Sequence, residues 1–75
     1  MSLSAEQRQV LELLAGSPPG YTKGRLLADG FDADMLTDLV REGLATAQRG
    51  TLRVGGRTIR VERYRITDAG WRAID

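Results

Sequence analysis

Apolar residues recur at helical spacing through the first half of the chain and shift to a strand-like pattern from Ala45 onward. Ser4-Ala5-Glu6-Gln7 has the form of a capping box, in which hydroxyl and amide side chains satisfy each other's unpaired backbone N–H groups. Leu3, Val10, Leu11 and Leu14 then mark one helical stripe, flanked by Leu13, and Gly16 offers a left-handed end to that helix. Ser17-Pro18-Pro19-Gly20 reads as a rigid connector. Thr22 is placed to cap a short second helix carrying Leu26 and Leu27, which Gly30 closes. Phe31 falls in the tight turn that follows, where a large apolar residue plugs a core. Asp32 caps a third helix and Asp34 suits its dipole. Leu36, Leu39 and Val40 form the apolar face of this helix, which ends at Gly43.

Two β-capable arms, Ala45–Val54 and Arg57–Ile66, flank Gly55-Gly56. A two-residue glycine loop predicts a hairpin because both positions tolerate positive φ. The implied register sets Val54 against Arg57, Leu52 against Ile59, Gly50 against Val61 and Arg49 against Glu62. Ala45, Ala47, Tyr64 and Ile66 then share the core face, while Leu52, Val54, Ile59 and Val61 fall on the opposite one. A bulge would restore the phase; without one, an apolar patch is exposed near the hairpin tip. Thr67 caps a last short helix carrying Trp71 and Ile74. The predicted core is Leu11, Leu14, Leu26, Phe31, Leu36, Leu39, Val40, Tyr64, Ile66 and Trp71.

With 75 residues there is room for one domain, spanning residues 1–75. A chain this short buries only roughly 60% of its unfolded surface, which leaves little room for a catalytic cavity beside a core. The composition, 41% hydrophobic and 28% charged, is that of a globular protein. No apolar run is long enough to span a membrane and no signal-peptide pattern opens the chain, so a cytoplasmic protein with no membrane partner is expected. Cysteine and histidine are both absent. That removes disulfides, thiolate nucleophiles, the usual zinc ligands and the commonest general base. Asp32, Asp34 and Asp38 lack the glycine and distal glutamate of a calcium loop, and capping explains them. The expectation is a non-enzyme with no cofactor and no metal.

Charge divides the chain in two. Residues 1–48 carry Arg8, Lys23, Arg25 and Arg41 against seven carboxylates, whereas residues 49–75 carry seven arginines against Glu62, Asp68 and Asp75. Such asymmetry is an electrostatic footprint for a polyanion. Leu36-Thr37-Asp38-Leu39-Val40-Arg41-Glu42-Gly43-Leu44 is similar to the end of a recognition helix turning into a wing. Tyr64-Arg65-Ile66-Thr67-Asp68-Ala69-Gly70 is similar to the strand-to-helix step after a wing. On these stretches the chain resembles winged helix-turn-helix regulators of the MarR-like and PadR-like kind. The resemblance implies an α+β fold, with a three-helix core, a C-terminal β-hairpin wing and a short terminal helix, and a role in DNA binding and transcription regulation.

Wing arginines Arg49, Arg53, Arg57, Arg60 and Arg63 are the expected phosphate contacts, since arginine on a protruding ribbon offers bidentate bonds to phosphate. Lys23 and Arg25 are placed for backbone phosphates. Arg41 and Thr37 are the nearest candidates for base contacts on the third helix, which otherwise turns Asp34, Asp38 and Glu42 outward. Carboxylates on that face repel phosphate, so binding is expected mainly through the wing to double-stranded DNA. The alternative is a winged-helix protein-interaction module, meeting a partner or a second copy through its acidic helix or apolar wing face. The residue inventory predicts that thermal unfolding is indifferent to a strong chelator. Matched circular-dichroism melts with and without it check this, and a large downward shift would reveal a structural metal.

Overall fold

The capping signals that start each helix are satisfied in three dimensions. The computed structural model describes residues 3–75. It runs α1 (Ala5–Ala15), β1 (Tyr21–Thr22), α2 (Lys23–Ala28), α3 (Ala33–Arg41), β2 (Ala45–Val54), β3 (Arg57–Ile66) and α4 (Asp68–Ile74). The class is α+β, with an antiparallel sheet in the order β1-β3-β2. No helix among the described residues is long and apolar enough to cross a membrane.

The caps form as the residue types require. Ser4 Oγ accepts the Gln7 N–H at 3.1 Å while Gln7 Oε1 accepts the Ser4 N–H at 3.0 Å, closing the capping box. Thr22 and Asp32 accept backbone N–H groups at the starts of α2 and α3. Thr67 does more than cap α4. Its hydroxyl accepts the Gly70 N–H at 3.0 Å and donates to the Gly43 carbonyl at 2.6 Å, and its own N–H reaches the Leu44 carbonyl at 3.1 Å. The return from the hairpin is thereby fastened to the end of α3. Gly16 keeps a right-handed φ of −79°, contrary to the expectation of a left-handed helix end. The left-handed residue of this connector is Gly20, at φ 82°, where a Cβ would collide with the Tyr64 carbonyl. That close approach lets Tyr21 and Thr22 pair with Tyr64 and Arg63 as β1, a strand the sequence pattern does not predict.

Each helix contributes one stripe to the core. Val10, Leu11 and Leu14 come from α1, Leu26 from α2, and Leu36 and Leu39 from α3; Ala45 and Tyr64 close it from the sheet. Phe31, Val40 and Ile66 pack against this cluster but stay half-exposed, so they line its edge. Ala47 is exposed, because the core ends at the first pairs of the hairpin. Trp71 departs from the predicted core: it is 49% exposed. The face of α4 that meets the body runs through buried Gly70 and half-buried Ile74, and a Cβ on Gly70 would collide with the Leu44 carbonyl. Trp71 follows one residue later, about 100° further round the helix.

Leu39→Ala should cost about 2–5 kcal/mol, because its full side chain is enclosed and the cavity cannot collapse completely. Trp71→Ala should cost less than Leu39→Ala despite the larger side chain. Urea unfolding of the two variants beside the parent checks the order, and a reversal would mean that α4 packs through Trp71.

Candidate nucleic-acid interface

Gly55 at φ 58° and Gly56 at φ 79° make the tight turn that joins β2 to β3. Ten residue pairs follow without a bulge, from Val54↔Arg57 to Ala45↔Ile66. The register is the one the glycine loop implies. At roughly 3.3 Å per residue each arm is about 30 Å long, and every residue from Thr46 to Arg60 is exposed. The molecule measures 44 × 22 × 20 Å, consistent with a ribbon standing off a small body.

Alternation sorts the ribbon into two faces. The face continuing from Ala45 and Tyr64 becomes polar and basic outward: Arg49 opposite Glu62, Thr51 opposite Arg60, Arg53 opposite Thr58. The other face is basic at its root, with Arg63 and Arg65, and apolar further out, with Leu52 opposite Ile59, Gly50 opposite Val61, and Val54 opposite Arg57 at the tip. Leu52, Val54 and Ile59 are 41%, 56% and 44% exposed, so no bulge returns them to the core. Of the five predicted wing arginines, Arg49, Arg53 and Arg60 therefore share one face. Arg57 and Arg63 lie on the reverse side, at opposite ends.

The salt bridges among the described residues leave all five of these arginines unpaired. Lys23 and Arg25 differ. Lys23 Nζ lies 3.8 Å from Glu62 Oε1, and Arg25 lies 3.6 Å from Asp29 with its guanidinium 5.8 Å from the Tyr21 ring centre. On α3, Asp34, Thr37, Asp38, Arg41 and Glu42 are exposed, as the apolar stripe requires. Arg41 Nη1 sits 3.8 Å from Asp38, and the Thr37 hydroxyl donates to the Ala33 carbonyl at 3.1 Å. Both base-contact candidates thus already have partners within the helix. The Lys23–Glu62 bridge was not anticipated from sequence. Its signal is present but weak, since the two residues meet only because β1 brings the start of α2 alongside β3.

Tyr64 lies at the root of the ribbon. Burial pushes its phenol up from the usual value, and the negative charge of Glu62 adds to the effect. Comparison of the chain with protein families, with characterised proteins and with solved structures finds no match. The candidate surface is accordingly described by its own geometry: an exposed arginine face, without salt-bridge partners among the described residues, on a projecting ribbon beside a helix with an acidic surface.

Because the folded state disfavours tyrosinate, the neutral Tyr64 phenol stabilises the fold fully below the unfolded value near 10. That contribution is lost as pH climbs through the raised folded value. Urea midpoints from about pH 8 to about pH 11 should fall, and Tyr64→Phe should flatten the fall. An equal decline in both proteins would place the titrating group elsewhere.

Proposed function

We propose that this chain is a winged helix-turn-helix domain that binds double-stranded DNA mainly through its hairpin, in transcription regulation or as an accessory factor. The observation that carries the reading is the set Arg49, Arg53 and Arg60, unpaired and exposed on one face of the ribbon. A ribbon that projects from the body can follow a phosphate backbone or enter a groove, and arginine suits both placements. The three-helix body with a hairpin after the third helix supports the fold assignment.

The contacts are ranked by what each cation already touches. Arg49, Arg53 and Arg60 act together, and Arg57 at the tip and Arg63 at the root extend the charge to the reverse face. Lys23 and Arg25 contribute less, since each is held by a carboxylate. Arg41 and Thr37 lie closest to the bases, but Asp38 and Asp34 on the same surface oppose close approach of phosphate. The complex is therefore weakly sequence-selective. A second reading, a protein-interaction module, is favoured by one observation, the exposed Leu52, Val54 and Ile59.

Three phosphate contacts predict that log affinity falls against log salt with a slope of about −2.7. Non-specific affinity should lie at roughly 10⁻⁴ to 10⁻⁶ M at physiological salt. Arg53→Ala with Arg60→Ala should flatten the slope by about 2 on any duplex, whereas Asp38→Asn should tighten binding slightly. Fluorescence anisotropy across a salt series measures all three. Absence of binding at low salt, or a slope that ignores the arginine pair, would overturn the DNA reading in favour of the protein partner.

A further inference from the structure

The outer edge of β3 lacks a strand partner over most of its length. β1 covers it only at Arg63 and Tyr64, after which the chain turns into α2. The Gly55-Gly56 turn closes with a hydrogen bond between Val54 and Arg57. By alternation, the backbone groups of Arg57, Ile59, Val61 and Arg63 face β2, and those of Thr58, Arg60, Glu62 and Tyr64 face away. Tyr64 uses its outward groups on Tyr21; those of Thr58, Arg60 and Glu62 meet no strand among the described residues.

Beside this edge an open cleft of about 1000 Å³ lies between α2 and the ribbon, lined by Lys23, Gly24 and Leu27 on α2, by Ile59, Arg60, Val61 and Glu62 on β3, and reaching across to residues 49–51 of β2. Leu27 and Ile59 are two of the large apolar side chains the fold leaves exposed, at 41% and 44%, and both line it. Around them the lining holds Arg49 and Arg60, which have no carboxylate of the described residues within salt-bridge distance, while Lys23 is bridged to the Glu62 carboxylate. Gly24 leaves room on the helix side, where a Cβ would meet nothing within 4 Å.

We propose that this cleft takes an extended acidic peptide segment of a partner protein, with alternate residues apolar, which adds to the β3 edge as a strand in line with β1. Such a segment supplies both things the edge needs. Its N–H and C=O groups pair with those of Thr58, Arg60 and Glu62, and its side chains alternate between the face of Ile59 and Val61 and the face of Arg60 and Arg49. A DNA backbone does not, because its phosphate and sugar oxygens only accept hydrogen bonds and leave the outward carbonyls without a donor. A second copy of this chain does not either. Its extended segments are arginine-rich, and its carboxylates lie mostly on helices and their caps. This inference stands on the unpaired backbone edge and not on the DNA reading, but it shares the Arg49 and Arg60 side chains with that reading, so peptide and duplex would compete for them.

The probe is a fluorescent octapeptide of alternating valine and glutamate, beside a glutamate octamer and a short DNA duplex. On binding the first, amide hydrogen exchange should slow at Thr58, Arg60 and Glu62, with resonance shifts at Gly24 and Leu27. Arg60→Pro removes an outward N–H at a position where an edge strand tolerates proline, and should weaken binding by about tenfold. Arg60→Ala removes only the charge and should weaken it by about threefold or less. Gly24→Trp fills the cleft without touching the β2–β3 ladder and should abolish the exchange protection. The proposal is overturned if the proline and alanine variants bind alike, if Gly24→Trp binds as the parent does, if the glutamate octamer or the duplex gives the same protection at the three amides, or if the alternating peptide does not bind.

Discussion

Tyr64 is where the two halves of the chain are joined. It and Arg63 are the residues paired on both sides, to β1 and to β2, and of the two only Tyr64 turns its side chain into the core. Its outward backbone groups hold β1, its ring closes the cavity between the helices, and the hairpin leaves the body just beyond it. Burying one such side chain is worth about 1.5–3 kcal/mol, a sizeable share of the roughly 5–15 kcal/mol that stabilises a typical domain. Gly20 is part of the same arrangement, since any side chain there would push β1 off the Tyr64 carbonyl. The ribbon is thus anchored at its root, and its outer pairs gain nothing from the core.

Local features of the fold were legible because the chemistry that makes them is local. The capping side chains at Ser4, Thr22, Asp32 and Thr67 and the positive φ at Gly30, Gly43, Gly55 and Gly56 are decided within a few residues. β1 was not legible, because two residues carry no periodicity and its stability comes from a partner more than forty positions away. Trp71 shows a different failure. Helical spacing identifies a stripe only when that stripe is marked by large apolar residues, and the stripe on α4 is marked by a missing side chain, Gly70, whose backbone rests on Leu44. Size misdirected the reading of α4.

The charge asymmetry of the site was legible, and the hairpin register made the division of arginines between two faces derivable. The state of the other cations was legible only in part. Arg25 and Asp29, and Arg41 and Asp38, stand at the i,i+4 and i,i+3 spacings that meet on a helix, whereas Lys23 finds Glu62 only in the folded chain. The contrast has a physical meaning. Carboxylates outnumber cations in residues 1–48, whereas the ribbon has one glutamate for six arginines, so the ribbon projects a positive field away from an acidic body. The acidic surface of α3 sharpens that field by repelling an anion from the neighbouring body.

The uninterrupted pairing of β2 with β3 also limits how such a chain can vary in length. One residue added to a single arm would slip the register and exchange the two faces beyond the insertion, turning Arg53 to the side that now carries Leu52. Residues added one to each arm would keep every existing pair opposite its partner and move the tip about 3.3 Å further out. Since the core ends at the root, such paired additions would leave the buried leucines undisturbed. The ribbon can lengthen or shorten by matched steps while the body that bears it stays the same.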